Sequence, residues 1–240
     1  MVIGRSAMNR QDITLQISDL SINIQVRENP RSKRLSLRLH PSQNVIYLTR
    51  PSHAMPHEIM AFIEKSRGWL LKVCSHLEQN TPLVQGNQIP ILGVPHLIRY
   101  SYQESPSVTA DNQVIEVKGF DPIIVPGLTK DWLRSHIYKY VTETSQKFAA
   151  QIGKQVTSIN IKDTSSRWGS CSRDGNLAYS WRLVFAGLEV AEYVCAHEVA
   201  HLIEMNHSPA FWSIVKDLCP QFKHHRRWLK EHGKILFTYG

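Results

Sequence analysis

The chain has 240 residues, enough for one large domain or two small ones with ample apolar side chains for a core. Hydrophobic residues make up 42% and charged residues 20%, which excludes disordered and fibrous classes and fits an ordinary globular protein. The net charge of +8 allows an anionic partner, but no apolar run approaches the ~20 residues of a membrane helix, so no membrane partner is expected.

Residues 1–18 read as a partly ordered lead-in without a secretory signal, since no long apolar stretch follows the charge of Arg5. Between Leu20 and Arg50, Ile22, Ile24 and Val26, then Leu35, Leu37 and Leu39, then Val45 and Tyr47 alternate with polar residues. This spacing predicts three strands. Over 55–79, Ile59, Phe62, Ile63, Trp69 and Leu70 fall at helical steps. The stretch 88–118 returns to strands, with a tight hairpin at Ile89–Pro95 and a short strand at Val114–Val117. Asp121-Pro122 and Pro126-Gly127 mark a boundary. A long amphipathic helix is expected from Thr129 to about Lys154, with Trp132, Ile137, Tyr140, Val141 and Phe148 on its apolar face.

The last third reads as a strand over Val156–Lys162, a strand over Asn176–Val184, and three helices. These run over about Leu188–Met205, from an N-cap at Ser208 with Pro209 in first position through Leu218, and over about Pro220–Leu236. The expected fold class is α+β. The expected division is a β-rich region with one long helix over 1–122, a connecting amphipathic helix over 123–155, and a small helical domain bearing the chemistry over 156–240.

That chemistry centres on His197-Glu198-Val199-Ala200-His201, an H-E-x-x-H match. Residues four apart on a helix share a face, so two imidazoles there can bind one Zn2+ while Glu198 stands beside it as a base for metal-activated water. A catalytic zinc takes a third protein ligand. His207, ten residues after His197, gives the ligand spacing of metzincins, although Glu204 stands where those have Gly and no Met-turn follows Met205. A related zincin is therefore expected, with the missing turn made at Asn206. Glu204, His224 and His225 are rival ligands. His224 and His225 read more simply as part of a basic, solvent-facing helix.

The chain resembles the YgjP-like predicted metallopeptidases, relatives of the SprT and WLM zincins. The resemblance rests on Arg167-Trp168-Gly169-Ser170-Cys171-Ser172, Trp181-Arg182-Leu183-Val184, Tyr193-Val194, His197 to Leu202, Asn206-His207-Ser208 and Phe211-Trp212. It is strong over roughly 156–236 and looser before that. It implies a zincin-like helical core after a β-rich region, a zinc ion on His197, His201 and His207, and Glu198 as catalytic base; the substrate does not carry over from it, and a protein or peptide is expected from the peptidase chemistry. Val199 stands where the family commonly has Leu, and Tyr179-Ser180 where an Asn beside the Trp is expected.

Arg167 and Trp168 could line a cleft, with Arg167 stabilising an oxyanion, but the segment reads better as a tightly packed turn. Cys171 reads as a core thiol, and Phe211, Trp212 and Trp228 as core aromatics. The four cysteines, Cys74, Cys171, Cys195 and Cys219, form no CxxC pair, and free thiols point to the cytoplasm. An alternative function is a DNA-associated zinc protein. It would act through two basic clusters, Arg31, Lys33, Arg34 and Arg38, and Lys223 to Lys230 with His232 and Lys234.

Overall fold

The alternating apolar residues of the first eighty positions form a four-stranded sheet, in the order β1-β2-β4-β3, from β1 (Gln11–Ile17), β2 (Leu20–Glu28), β3 (Ser36–His40) and β4 (Val45–Arg50). The computed structural model describes residues 11–17, 20–40, 45–71, 81–164 and 166–240. Ile24 pairs with Ile46 and Val26 with Leu48, so these four side chains share one face and are 0–4% exposed. Helix α1 (Pro56–Lys65) adds Ile59 and Ile63 to that core. The Met55 amide donates to the Glu58 carboxylate at 2.8 Å, satisfying one orphan donor at the start of α1. The helix expected over 55–79 is interrupted at Ser66, whose hydroxyl donates to the Phe62 carbonyl, and helix resumes over 67–71. Residues 72–80 lie outside the described residues. The lead-in proves to contain strand β1, whose alternation of Ile13, Leu15 and Ile17 was legible.

A second sheet, β5-β6-β8-β7, is built from β5 (Gln88–Ile91), β6 (Val94–Tyr102), β7 (Ser107–Asp111) and β8 (Val114–Gly119). Leu92 and Gly93 turn the first hairpin with φ of 47° and 88°, and Asn112 and Gln113 the second with 48° and 63°. Two successive positive φ angles match the right-handed twist of the strands. Asp121 caps a short 3-10 turn, Pro122–Ile124, by accepting from the Ile123 amide. The chain then enters helix α2 (Val125–Gln151), earlier than Thr129, because Pro126 is tolerated in a first turn whose N–H groups have no partner. Leu133, Ile137, Val141 and Phe148 are buried along it, while Trp132 and Tyr140 are only partly so.

A third sheet has the order β10-β11-β9, from β9 (Ser158–Lys162), β10 (Gly169–Cys171) and β11 (Asn176–Ser180). The strand expected through Val184 stops at Ser180, and Trp181–Phe185 wind into a 3-10 helix with all five side chains buried. Helices α3 (Leu188–Ala200), α4 (Pro209–Leu218) and α5 (Phe222–His232) follow, then a 3-10 segment, Gly233–Thr238.

The fold is α+β. Contacts divide the chain into two units, Met1–Asn80 and Thr81–Gly240. The second unit has one continuous core: Ile98 and Ile115 of the second sheet share it with Ile137 of α2, Val194 of α3 and Phe211 of α4. Among the described residues, no helix is long and apolar enough to cross a membrane.

Candidate metal centre

Helix α3 ends at Ala200, not Met205, and His201 is its C-cap. Two short-range bonds, from the Leu202 amide to Val199 and from the Ile203 amide to Ala200, tighten the chain out of the helix. Asn206 does not supply the left-handed turn expected of it, since only Leu92, Asn112 and Gln113 have positive φ among the described non-glycine residues. Ser208 then caps α4 by accepting from the Phe211 amide at 3.2 Å, as its position before Pro209 suggested.

This tight exit folds His207 back over α3. One ring nitrogen from each of His197, His201 and His207 lies within 4.8 Å of the others, and the group could hold a metal ion. The Nε2 atoms of His207 and His197 are 3.1 Å apart. Two ligands at ~2.0–2.1 Å around a tetrahedral zinc stand about 3.3 Å from each other, so the spacing fits such an ion. Nδ1 of His201 donates to the Glu204 carbonyl at 3.0 Å, leaving its Nε2 lone pair free. Nδ1 of His197 is buried and has no partner among the described residues. Burial first, then the neighbouring His201 and His207, holds His197 down to about 3, and burial lowers His201. Both rings therefore present neutral lone pairs at neutral pH. The Glu204 carboxylate is not part of this cluster, and neither are His224 and His225. His224 is exposed as expected, but His225 lies on the buried side of α5 with Phe222 and Leu229.

The aromatic residues serve the site as well as the core. Phe211, fully buried, has its ring 4.9, 4.6 and 4.7 Å from the rings of His197, His201 and His207, a floor beneath all three. Trp212 stacks on His207 at 5.8 Å and 26°, and the Arg226 guanidinium lies over the Trp212 ring, 4.5 Å from its centroid. The position of Phe211 and Trp212 just after the third histidine was the only sequence signal for this.

Glu198 is 5% exposed. Burial pushes its carboxyl up to about 8, against the pull of the Arg167 guanidinium. A Cβ on Gly169 would lie 2.5 Å from Glu198 Oε1, so β10 passes directly over this carboxylate and only glycine fits there. The Arg167-to-Ser172 segment is therefore not only a turn: it includes edge strand β10. Burial, then the charge of Glu198, pushes the half-buried Cys171 thiol up to about 11, and its Sγ donates to the Ser172 carbonyl, which leaves no nucleophile there.

The raised carboxyl has a measurable consequence. A Glu whose folded pKa exceeds its unfolded value loses stability for the fold as pH rises from about 4.5 through about 8. Metal-free Glu198→Gln should therefore gain on metal-free wild type over that window, by a few kcal/mol at most. The difference in denaturation midpoints at pH 5 and pH 9 checks this, since other groups cancel in the comparison. An equal difference at both pH values would count against a buried, strained carboxylate.

The family described as YgjP-like, metallopeptidase domain, matches residues 33–232. The chain belongs to this family and is a metallopeptidase. Among solved structures, the metallopeptidase zymogen abylysin of Pyrococcus abyssi is similar to it, with 21% identity, a TM-score of 0.36, and coverage of 39% of this chain and 95% of that one. No curated protein matches.

Proposed function

We propose that the chain is a zinc-dependent peptidase in which His197, His201 and His207 hold one zinc ion and Glu198 is the general base. The observation that carries this reading is the convergence of three imidazole nitrogens within 4.8 Å beside a buried carboxylate. The bound ion supplies Lewis-acid polarisation of a carbonyl and acidifies water. A cation held beside Glu198 would favour its charged form, and the carboxylate then takes a proton from the attacking water and passes it to the leaving amine. Phe211 and Trp212 keep the three imidazoles in place and shield them on one side.

An extended substrate pairs along β10 by strand addition. The strand predicted over Asn176–Val184 is not this edge, because β11 is central, flanked by β9 and β10. Gly169 faces Glu198, so a strand added beside β10 brings its backbone past the carboxylate. The free thiols of Cys171, Cys195 and Cys219 favour the cytoplasm as the place of action.

Metal removal tests the reading. Chelated protein should lose hydrolysis of a mixed peptide library and regain it with one equivalent of Zn2+. Undiminished hydrolysis after complete metal removal would overturn it.

A further inference from the structure

The small sheet has two faces, and only one of them meets the metal centre. Gly169 and Cys171 of β10 lie on the inner face, with Gly169 against Glu198. Alternation puts Ser170, Ala178 and Ser180 on the outer face, where Ser170 pairs with Ala178 and Ser180 with Lys162. A pocket opens on that outer face, lined by Lys162, Thr164, Arg167, Ser170 and Ser180 and walled by Trp168. It brings together two cations and the hydroxyls of Ser170 and Ser180, while the Thr164 hydroxyl donates to the Arg167 carbonyl at 2.6 Å, and among the described residues no acidic one lines it. Among the described residues, neither Lys162 nor Arg167 forms an ion pair: the nearby Asp163 is already engaged with Lys130 and Arg182, at 3.5 and 3.7 Å.

Ser180 makes the pocket more than a basic patch. It is 1% exposed, and its Oγ has no hydrogen-bond partner among the described residues. Its amide is satisfied by the Trp168 carbonyl at 2.9 Å, which also fastens the pocket wall to β11. A buried hydroxyl left unpaired costs roughly 1–3 kcal/mol unless a ligand completes it. Hydroxyls and cations converging in a lining that holds no carboxylate of its own select an anion with acceptor oxygens.

We infer that this pocket is a substrate subsite for the carboxylate of an Asp or Glu side chain, which rests on the peptidase reading above. A peptide strand added beside β10 alternates its side chains between the two faces. The residue level with Gly169 faces Glu198, and its neighbours in the strand point to the outer face. The subsite therefore reads a residue next to the one presented to the metal centre.

The test uses zinc-loaded full-length protein and a peptide library cut and sequenced by mass spectrometry, followed by matched peptides differing only by Asp or Asn at the selected position. Wild type should prefer Asp by about tenfold in kcat/KM, the scale of one charge-assisted hydrogen bond. Lys162→Glu, a change at an exposed position, should abolish or invert that ratio, and Ser180→Ala should reduce it. Binding of the same peptides to Glu198→Gln, read by fluorescence polarisation, should show the same preference without turnover. Cleavage with no acidic preference, or a preference unmoved by Lys162→Glu, overturns the subsite while leaving the peptidase reading intact. No cleavage of any peptide by zinc-loaded wild type overturns the peptidase reading and the subsite with it.

Discussion

Glu198→Gln is expected to cut peptide hydrolysis by roughly 10²–10⁴-fold, the range for loss of a general base, with fold and zinc content retained. The substitution is close to isosteric, and that matters because the side chain is 5% exposed and packs against Gly169, where no larger residue fits. Gln keeps this packing and removes only the proton acceptor. Zinc content stays because the three imidazole nitrogens converge without help from the carboxylate. The measurement is kcat/KM on one peptide alongside metal analysis of the same samples. Wild-type turnover by the variant would remove Glu198 from the chemistry, and loss of zinc would place it among the groups that hold the ion.

The parts of this site that were legible in the sequence are those fixed by local geometry. His197 and His201 are one helical turn apart, and Ser208-Pro209 announces the start of α4, so the short link between them had to carry His207 back toward α3. What could not be read depends on contacts between distant segments. Gly169 meets Glu198 only because β10 pairs with β11 and so passes over α3. Phe211 read as core and is core, but its ring also underlies three histidines, which no periodicity reveals. The strand expected over Asn176–Val184 includes Trp181–Val184, which instead wind into the 3-10 helix with every side chain buried, Arg182 among them. With no polar face, there was no period to tell strand from 3-10 helix. The left-handed turn expected at Asn206 is unnecessary, because the tight bonds at Leu202 and Ile203 already turn the chain.

The remaining large effect concerns the third zinc ligand. His207→Ala is expected to weaken zinc binding by more than about 100-fold, and Glu204→Ala by less than about tenfold, on either side of the losses typical of groups that only support a ligand. His207 Nε2 stands 3.1 Å from His197 Nε2, so its removal takes one of three converging donors. Trp212 stacked on the ring and Phe211 beneath it fix that donor in place, although the residue itself is exposed. Glu204 contributes differently. Its backbone carbonyl accepts from His201 Nδ1 at 3.0 Å, and an alanine keeps that carbonyl. Only the carboxylate is lost, and it lies outside the cluster of converging donors. Competition of each variant with a chromophoric chelator, at one pH and protein concentration, gives the two affinities side by side. If Glu204→Ala sheds zinc while His207→Ala keeps it, the carboxylate is the third ligand, and the 3.1 Å approach of His207 to His197 is a hydrogen bond between two imidazoles rather than the footprint of a shared ion.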